Sequence, residues 1–372
     1  MSTLRILYIG PDYRGSNGTS WRDAFVELGH DVRTLDDERF DPAPRDTAGR
    51  LVRKLRGRPP LRMVEDLNRA IVETCREFRP DLTFFVKAYH VTPDTLDAVA
   101  GISPRFVYMN DDMFNPANQS PTFRDNVPRF DCILTTKSFN VREFHDAGAP
   151  LAVYLPNAYD PQVHHPAEPT AEERRRMEGD VAFIGTFRPS RADFLARLAA
   201  SRDHFRMNVW GGGWGKMARY PHRAWGWRKL RGAVRGCEVI AEQMGKAVAA
   251  NSASLGLLYH DNRDLHTSRS FEIPACGGFM IAERTEEHLL YFEEDKEAVY
   301  FGPFEELISK LRFYLAHEEP RRRIARAAYR RAISSPYRYV DRARTAMELA
   351  AALRPRTHVP GPHAGAREEA AR

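Results

Sequence analysis

The sequence lacks the features that mark membrane-spanning, disulfide-stabilised and zinc-binding proteins. Its 372 residues contain no apolar run near the ~18 residues that a membrane span requires. The apolar stretch at residues 6–9 is too short for a signal peptide. The four cysteines form no Cys-x-x-Cys pair, so neither a zinc site nor a redox motif is indicated. We therefore expect a protein of the reducing cytoplasm.

Lysine is also scarce, because it accounts for only 8 of the 56 basic residues and leaves 48 arginines. Against 50 Asp and Glu residues, the formal net charge is +6. Such an excess indicates anionic partners, for example phosphates, nucleic acid or a membrane surface. The alternative is that arginine replaces lysine across the surface through compositional bias. The informative arginines are therefore those that stand beside a motif.

Three nucleotide-binding motifs are absent. Gly10 and Gly15 have the spacing of a P-loop, but Ser16 and Asn17 follow where a Walker-type ATPase needs lysine and Ser/Thr. The glycines of this loop do not fit Gly-x-Gly-x-x-Gly, which argues against a dinucleotide-dependent oxidoreductase. The sequence has no Asp-x-Asp triplet, which argues against a sugar transferase that chelates its nucleotide through a metal.

What the sequence does contain is an alternation of short apolar runs with amphipathic helical segments. The alternation pauses at a proline-rich stretch, which we interpret as an interdomain linker, and then restarts. The pattern predicts an α/β protein with two doubly wound domains, residues 1–155 and 156–335. A helix at residues 336–353 follows, and the tail at residues 354–372 is predicted to be disordered.

Doubly wound sheets bind ligands beyond the carboxyl ends of their strands, so polar residues at those ends are the first candidates for a site. Asp111 and Asp112 follow one predicted strand, where carboxylates can orient a hydroxyl or accept its proton. Lys137 and Asn140 follow the next strand. The alternative for the two aspartates is that they only form a turn and cap a helix.

The loop after the first strand carries Gly15, Ser16 and Gly18. One interpretation is that it faces the cleft and contacts an acceptor. The other is a flexible turn before a helix, and the sequence leaves both open.

The most informative stretch is residues 260–287. Thr267 and Ser268 stand where a helix N-cap belongs, and the free N–H groups of a helix N-terminus suit a phosphate. Arg263 and Arg269 would add charge-assisted hydrogen bonds to the same anion. Glu272 lies on the first turn of that helix, where a carboxylate can accept two ribose hydroxyls. A capped helix with solvated charges explains each residue singly but explains their concentration less well.

A third candidate follows the first strand of the second domain. Gly185 and Thr186 form a loop that lets the backbone approach a ligand closely, and Arg188 and Arg191 lie just beyond it.

Residues 216–235 hold two lysines, five arginines and no acidic residue, interleaved with Trp225 and Trp227. Stacking of tryptophan on bases makes nucleic acid one partner to consider. Tryptophan and arginine also suit a membrane interface, and a solvated loop of a basic protein is the plain alternative.

Residues 269–282 resemble the nucleotide-binding segment of GT-B glycosyltransferases. More narrowly, the chain resembles the spore-maturation CgeB-like branch over residues 3 to about 350. The segments that carry this resemblance, in the same order, are residues 110–120, 135–140, 155–161, 183–186 and 262–282.

The resemblance implies two Rossmann-like domains that face a central cleft, with final helices that cross back to the first domain. The first domain would bind an acceptor and the second a nucleotide-sugar donor. Many retaining GT-B enzymes carry two acidic residues separated by seven others. Asp264 and Glu272 have this spacing here, although Asp264 stands where glutamate is usual.

The same resemblance implies further donor contacts. Gly185, Gly277 and Gly278 match positions that admit the diphosphate closely. In that family a helix N-terminus neutralises the diphosphate, and it is matched here by Thr267, Ser268 and Arg269. The matching segment also includes His266.

We therefore predict a metal-independent glycosyltransferase that uses a nucleotide-diphosphate sugar and needs no cofactor. Asp111, Asp112 and Asp264 are the predicted catalytic residues. The alternative is a catalytically degenerate GT-B protein that binds a glycan or nucleic acid. Donor sugar, acceptor and stereochemistry stay open, as does a peripheral contact of residues 216–235 with the inner membrane.

Overall fold

The fold is described from a computed structural model that covers residues 3–40, 61–236, 239 and 242–353. The predicted disordered tail, residues 354–372, lies outside the described residues. Two parallel sheets with flanking helices form the molecule, as the alternation predicted. Within the described ranges, no helix is long and apolar enough to cross a membrane.

The first sheet has six strands in the order β2-β1-β3-β4-β5-β6, and every neighbouring pair is parallel. The strands are β1 (Arg5–Gly10), β2 (Asp31–Asp36), β3 (Leu82–Val86), β4 (Arg105–Met109), β5 (Cys132–Thr135) and β6 (Ala152–Tyr154). The chain runs from β1 outward to β2 and then crosses to β3 on the other side of β1. The topological switch point, where doubly wound sheets bind ligands, therefore lies between β1 and β3.

The second sheet has five parallel strands in the order β11-β10-β9-β7-β8. The strands are β7 (Gly179–Ile184), β8 (Met207–Trp210), β9 (Asn251–Gly256), β10 (Met280–Glu283) and β11 (Val299–Phe301). By the same reasoning, its switch point lies between β7 and β9.

Helices connect successive strands and cover both faces of each sheet. Those of the first sheet are α1 (Asn17–Glu27), α2 (Leu61–Phe78), α3 (Pro93–Val99), α4 (Phe123–Asn126) and α5 (Asn140–Asp146). Those that follow are α6 (Ala171–Met177), α7 (Pro189–Ala199), α8 (Arg228–Ala233), α9 (Glu242–Ala249), α10 (Arg269–Ala275), α11 (Glu286–Tyr291), α12 (Phe304–Ala316), α13 (Glu318–Ser334) and α14 (Tyr339–Leu353).

The last helix crosses back to the first sheet, as the resemblance implied. Tyr339 and Ala343 of α14 share a buried apolar cluster with Tyr8 of β1 and Trp21 of α1. The rings of Trp21 and Tyr339 lie 6.0 Å apart in an edge-on arrangement. Burial of this apolar face fixes the C-terminus of the described chain on the N-terminal half.

The predicted linker is more structured than the sequence suggested. It contains α6, whose N-terminus carries a capping box between Thr170 and Glu173. Ahead of this helix, Arg342 of α14 donates hydrogen bonds to the carbonyls of Pro156, at 2.9 Å, and Asn157, at 3.1 Å. The connection between the two sheets is therefore held against the crossing helix.

Candidate functional site

A cleft of about 510 Å³ opens between the carboxyl edges of the two sheets, at both switch points. This volume is within the range of small-molecule sites. The N-terminal half (residues 3–154) contributes Pro11, Tyr13, Gly15, Ser16, Asn17, Gly18, Asp37, Glu38, Val86, Lys87, Tyr89 and Asn110. The connecting segment and the C-terminal half contribute Val163, His164, Ile184, Gly185, Thr186, Gly211, Gly212, Val239, Met244, Ser268, Arg269 and Glu272.

Arg269 supplies a fixed cation in this cleft. Its Nε donates to the carbonyl of Ile184, the last residue of β7, at 2.9 Å, and its Nη1 donates to Glu272. The side chain keeps 30% of its surface exposed. Burial lowers the pKa of Arg269 to about 10, so the guanidinium stays protonated at neutral pH. The sequence predicted this residue for the donor site, and the structure brings it to the cleft.

Glu272 lies one turn further along α10 and is 2% exposed. Its Oε1 is 3.5 Å from Nε2 of His164, a residue of the connecting segment. The His164 ring is oriented by the amide of Asp160, which donates to Nδ1 at 3.1 Å. Burial, together with Arg269, lowers the pKa of His164 to about 3, so the imidazole is neutral. A buried carboxylate that is held by Arg269, with the neutral His164 ring near its other oxygen, therefore lines the cleft.

The turn before α10 is stabilised by hydrogen bonds of Ser270 and not by the predicted N-cap. Among the described residues, Ser268 makes no side-chain capping bond. Ser270 Oγ instead accepts from the amide of Thr267 at 3.1 Å, and it lies 2.7 Å from Nε2 of His288. Nδ1 of His288 donates to the Glu283 carbonyl at 2.6 Å, so Nε2 is the acceptor for the serine hydroxyl. This chain leaves the Ser268 hydroxyl on the cleft wall.

The His288 link makes the protein sensitive to acid. Burial lowers the pKa of His288 to about 4, below its value of 6.5 in an unfolded chain. Between these values the unfolded state binds more protons, so His288 contributes full stability above pH 6.5 and loses it as the pH falls toward 4. The expected loss is up to about 1.4 kcal/mol per pH unit.

Thermal unfolding of wild type and His288→Gln at pH 7, 6 and 5 checks this expected loss of stability. The variant is expected to lose less stability with falling pH, and parallel curves would contradict the assignment.

Glycine is required where β7 and β8 approach each other at the cleft floor. Gly211 has a φ of +136°, and a Cβ there would lie 2.2 Å from the carbonyl oxygen of Gly185. The Gly211→Ala variant is therefore expected to lose about 1–3 kcal/mol of stability. Gly232, on α8, serves as the control, because a Cβ added there would meet no atom within 4 Å. Equal unfolding midpoints for Gly211→Ala and Gly232→Ala would refute this prediction.

The opposite wall comes from the loop after β1. Gly15 adopts a φ of +86°, and Ser16 Oγ caps α1 by accepting from the Thr19 amide at 3.0 Å. Gly18 is buried within the first turn of the helix. The three residues of the predicted acceptor loop thus form an ordered, capped helix start that lines the cleft.

Lys87 is a cleft residue that the sequence reasoning missed. It follows β3 directly, has a φ of +62°, and its Nζ lies 2.6 Å from Oδ2 of Asp111. Burial raises the pKa of Asp111, but Lys87 and then Asn262 lower it by more, so the net shift is downward. Asp111 is therefore an ionised carboxylate that pairs with a cleft residue, although it does not itself line the cleft.

Asp112 lies in the contact between the two halves rather than in the cleft wall. Its carboxylate accepts from Arg263 Nε at 2.7 Å and Nη2 at 2.9 Å, and from Asn140 Nδ2 at 3.0 Å. Arg263 also pairs with Glu143 at 2.9 Å. Burial raises the pKa of Asp112, but Arg263 and Asn140 outweigh it and lower the pKa overall. The predicted donor contact Arg263 and acceptor contact Asn140 are thus joined to each other through Asp112.

Asp264 also joins the two halves. It forms an ion pair with Lys137 at 2.6 Å, and the side chains of the two residues are only 6% and 4% exposed. His266 is fully buried nearby, where Nε2 accepts from the Asn157 amide at 3.0 Å and Nδ1 lies 2.5 Å from Glu287. Asp264, His266 and Lys137 therefore fix the arrangement of the halves and do not line the cleft.

The remaining predicted donor residues lie outside the cleft wall. Arg188 is exposed, with its guanidinium 4.4 Å above the Tyr259 ring. Arg191 donates to the carbonyls of Leu258 at 3.2 Å and Leu257 at 3.1 Å, which ties the end of β9 to α7. Both arginines therefore contact groups of the protein itself, and neither lines the cleft.

Gly277 and Gly278 lie at the opposite edge of the second sheet. They line a separate depression with Gly179 and Asn251, the first residues of β7 and β9. Arg269 starts α10 at the carboxyl edge, and the helix ends at the amino edge, where Gly277 with a φ of +77° terminates it. The two glycines therefore do not reach a ligand in the cleft.

His164, Lys87 and Tyr89 are among the cleft residues for which the sequence reasoning gave no role. Lys87 and Tyr89 follow β3, so the rule used for Asp111 would have found them. His164 had no such signal, because it lies in the predicted linker. Across the described parts of the chain, no group of three or more His, Cys, Asp or Glu side chains is arranged to hold a metal ion.

Comparisons with known proteins agree with this architecture. Residues 188–348 match the model of a family described as "Glycosyl transferase-like". A search of curated proteins by sequence finds no match.

Solved structures match over nearly the whole chain. Sucrose-phosphate synthase from Thermosynechococcus elongatus has a TM-score of 0.65 at 12% identity, covering 94% of this chain and 99% of its own. HepE from Anabaena in complex with UDP-glucose has a TM-score of 0.61 at 16% identity, covering 94% and 100%. A glycosyltransferase from Rickettsia africae has a TM-score of 0.59 at 11% identity, covering 94% and 98%. The chain therefore has the GT-B fold, and its C-terminal half carries a glycosyl transferase-like segment.

Proposed function

We propose that the protein is a glycosyltransferase that moves a sugar, a hexose or a related one, from a nucleotide-diphosphate sugar to an acceptor hydroxyl without a metal ion. The observation that carries the proposal is Arg269, a protonated guanidinium fixed at the floor of the cleft beside the buried carboxylate of Glu272. The glycosyl transferase-like segment supports it, as does the fold shared with HepE, whose structure contains UDP-glucose.

In this proposal the diphosphate lies over Gly185 and Thr186. The backbone can approach it there, and Arg269 and the Ser268 hydroxyl donate to its oxygens. When the bond between the anomeric carbon and the diphosphate oxygen breaks, the electron pair leaves with the diphosphate. A fixed cation at that position stabilises the developing charge more than it stabilises the bound donor, which lowers the barrier. Arg269 thus supplies the stabilisation that a metal ion supplies in other transferases.

Glu272 is assigned to the ribose of the donor. A carboxylate with four lone-pair positions can accept from two hydroxyls while it keeps its bond to Arg269. Its burial and its neighbours Arg269 and His164 keep the oxygens in one orientation, which favours specific recognition over loose attraction.

Of the three predicted catalytic aspartates, we retain Asp111 for the acceptor. It is paired with Lys87, a cleft residue, and in this proposal it orients the hydroxyl that attacks the anomeric carbon and accepts the proton that this hydroxyl loses. Asp112 and Asp264 already satisfy buried ion pairs, and we assign them to holding the halves together. We also retain the CgeB-like branch as the narrower assignment and the cytoplasm as the location, on the sequence pattern alone.

The test is a panel of nucleotide-diphosphate sugars incubated with the protein in EDTA, with release of the nucleoside diphosphate as the readout. One donor is expected to release its diphosphate slowly in water and faster when the true acceptor is added. Binding of a donor without release would favour the alternative, a catalytically degenerate binding protein. Release that requires an added divalent cation would contradict the metal-independent mechanism.

A further inference from the structure

A basic arm, residues 214–235, projects from the second sheet between β8 and α9. It consists of two short 3₁₀ turns, Trp214–Arg219 and Pro221–Arg223, followed by α8. Its sequence from residue 216 to residue 235 contains seven basic residues and no acidic one.

The arm is firmly anchored on its inner side. Trp214, Trp227 and Leu230 belong to the buried core of the second sheet and are at most 3% exposed. Trp214 Nε1 donates to the Gly185 carbonyl at 3.0 Å, and Trp227 Nε1 donates to Asp193 at 2.9 Å. The outer side is therefore presented by a fixed scaffold.

The outer side carries one aromatic ring among unpaired cations. Trp225 is 82% exposed, and the Arg228 guanidinium lies 5.0 Å from its ring centre. Within the described residues, five exposed basic side chains of the arm form neither an ion pair with an acidic group nor a side-chain hydrogen bond, whereas Arg235 donates to Asn208. The five are Lys216, Arg219, Arg228, Lys229 and Arg231. Among the described residues, these basic side chains around the exposed Trp225 ring thus have no acidic partner.

The start of the arm lies next to the cleft. The arm continues directly from Gly211 and Gly212, which line the cleft at the end of β8. The hydrogen bond from Trp214 to Gly185 fixes the start of the arm to the loop after β7, which lines the same cleft.

The arrangement of the aromatic rings favours a lipid surface over a nucleic acid. Proteins that bind single strands offer successive rings on which bases stack. Here Trp227 is buried, and Tyr220 packs against it at 5.6 Å between ring centres. One exposed tryptophan beside basic side chains is instead the composition of a membrane interface, where tryptophan lies at the headgroup level.

We propose that the basic arm docks on the surface of an anionic lipid bilayer, with Trp225 at the level of the headgroups. Each cation near such a surface strengthens binding roughly fivefold, so five cations and one tryptophan give reversible attachment. If the proposed transferase function holds, such docking brings the enzyme to acceptors at that surface. The docking itself does not depend on that function.

Co-sedimentation with vesicles at fixed salt tests the proposal. Wild type is expected to bind phosphatidylcholine vesicles that contain about 30 mol% phosphatidylglycerol. It is not expected to bind vesicles of pure phosphatidylcholine. The triple variant Arg228→Gln/Lys229→Gln/Arg231→Gln is expected to bind about 100-fold more weakly, and Trp225→Ala several-fold more weakly. Since these side chains are exposed, circular dichroism should show the fold unchanged.

The matched control removes the same charge elsewhere. Arg39, Arg62 and Arg142 have side chains that are 79%, 91% and 91% exposed, and the triple Gln variant is expected to bind like wild type. An equal loss in both triple variants would overturn the proposal, because it would indicate net charge alone. Binding to a single-stranded oligonucleotide but not to anionic vesicles would also overturn it. Neither result would bear on donor turnover, which is measured without lipid.

Discussion

The Arg269→Ala variant is expected to lower kcat/KM for sugar transfer roughly 10²- to 10³-fold, most of it in kcat. The guanidinium is fixed by the Ile184 carbonyl and by Glu272, so it needs no reorganisation when charge develops on the leaving diphosphate. Alanine leaves that charge to water and to the Ser268 hydroxyl. Steady-state kinetics with the true donor, in the presence of EDTA, measures the effect.

Arg206 provides the matched control for that experiment. It is an exposed arginine of the same half that pairs with Asp180 at 3.2 Å, at the amino edge of the second sheet. Arg206→Ala is expected to keep wild-type kinetics. Arg269→Ala is expected to unfold at a lower temperature, because the buried Glu272 carboxylate loses its partner, so both variants are measured well below their unfolding transitions. A loss below about threefold in Arg269→Ala, or an equal loss in both variants, would show that the leaving group is stabilised elsewhere.

Breaking the buried ion pair between Lys137 and Asp264 is the second large effect. Removal of one partner leaves an uncompensated charge in a site where the side chains are 4% and 6% exposed. Lys137→Met and Asp264→Leu are each expected to lose about 3–5 kcal/mol of unfolding free energy. The double variant is expected to recover most of that loss, because neither charge is then left alone. Urea unfolding of the three variants measures this.

An exposed pair shows what burial adds. Lys296 and Glu293 form an ion pair at 2.5 Å with side chains 71% and 59% exposed. Lys296→Met is expected to change the unfolding free energy by no more than about 1 kcal/mol. If the losses of the two buried single variants simply add in the double variant, the pair does not act as a unit, and its role in joining the halves would be refuted.

The contacts of Asp112 and Asp264 explain how the cleft is assembled. Each lies at the carboxyl edge of its sheet, where the sequence predicted chemistry, but each pairs with a cation of the opposite half. These pairs bring the two carboxyl edges face to face. Arg269 from one edge and Lys87 from the other can then line the same cavity.

The sheets could be predicted because their strands are buried on both faces. A strand such as β3 is buried at all five positions and apolar at four of them, and such a run bounded by turn residues is a strong signal. The three-residue strands β6 and β11 lie at sheet edges and are too short to give such a run. Helix α6 has no buried residue, so it has no apolar face that periodicity could detect.

The site could be predicted in part for a similar reason. Strand ends in a parallel sheet share one edge, and Gly185, Ser268, Arg269 and Glu272 do lie together at one cleft. Sequence does not reveal which side of that edge faces the cleft and which faces the other half, so the pairing of Asp112 and Asp264 across the halves could not be predicted. Gly277 lies eight residues after Arg269, which on a helix is a rise of about 12 Å toward the other edge.

Calorimetric titration of nucleoside diphosphates into the protein in EDTA tests the central claim most directly. The account predicts that one nucleoside diphosphate binds with one-to-one stoichiometry, and that Arg269→Ala weakens this binding at least tenfold while Arg206→Ala leaves it unchanged. If no nucleoside diphosphate binds, or if the wild type and Arg269→Ala bind with equal affinity, the cleft is not a diphosphate site and the account is wrong.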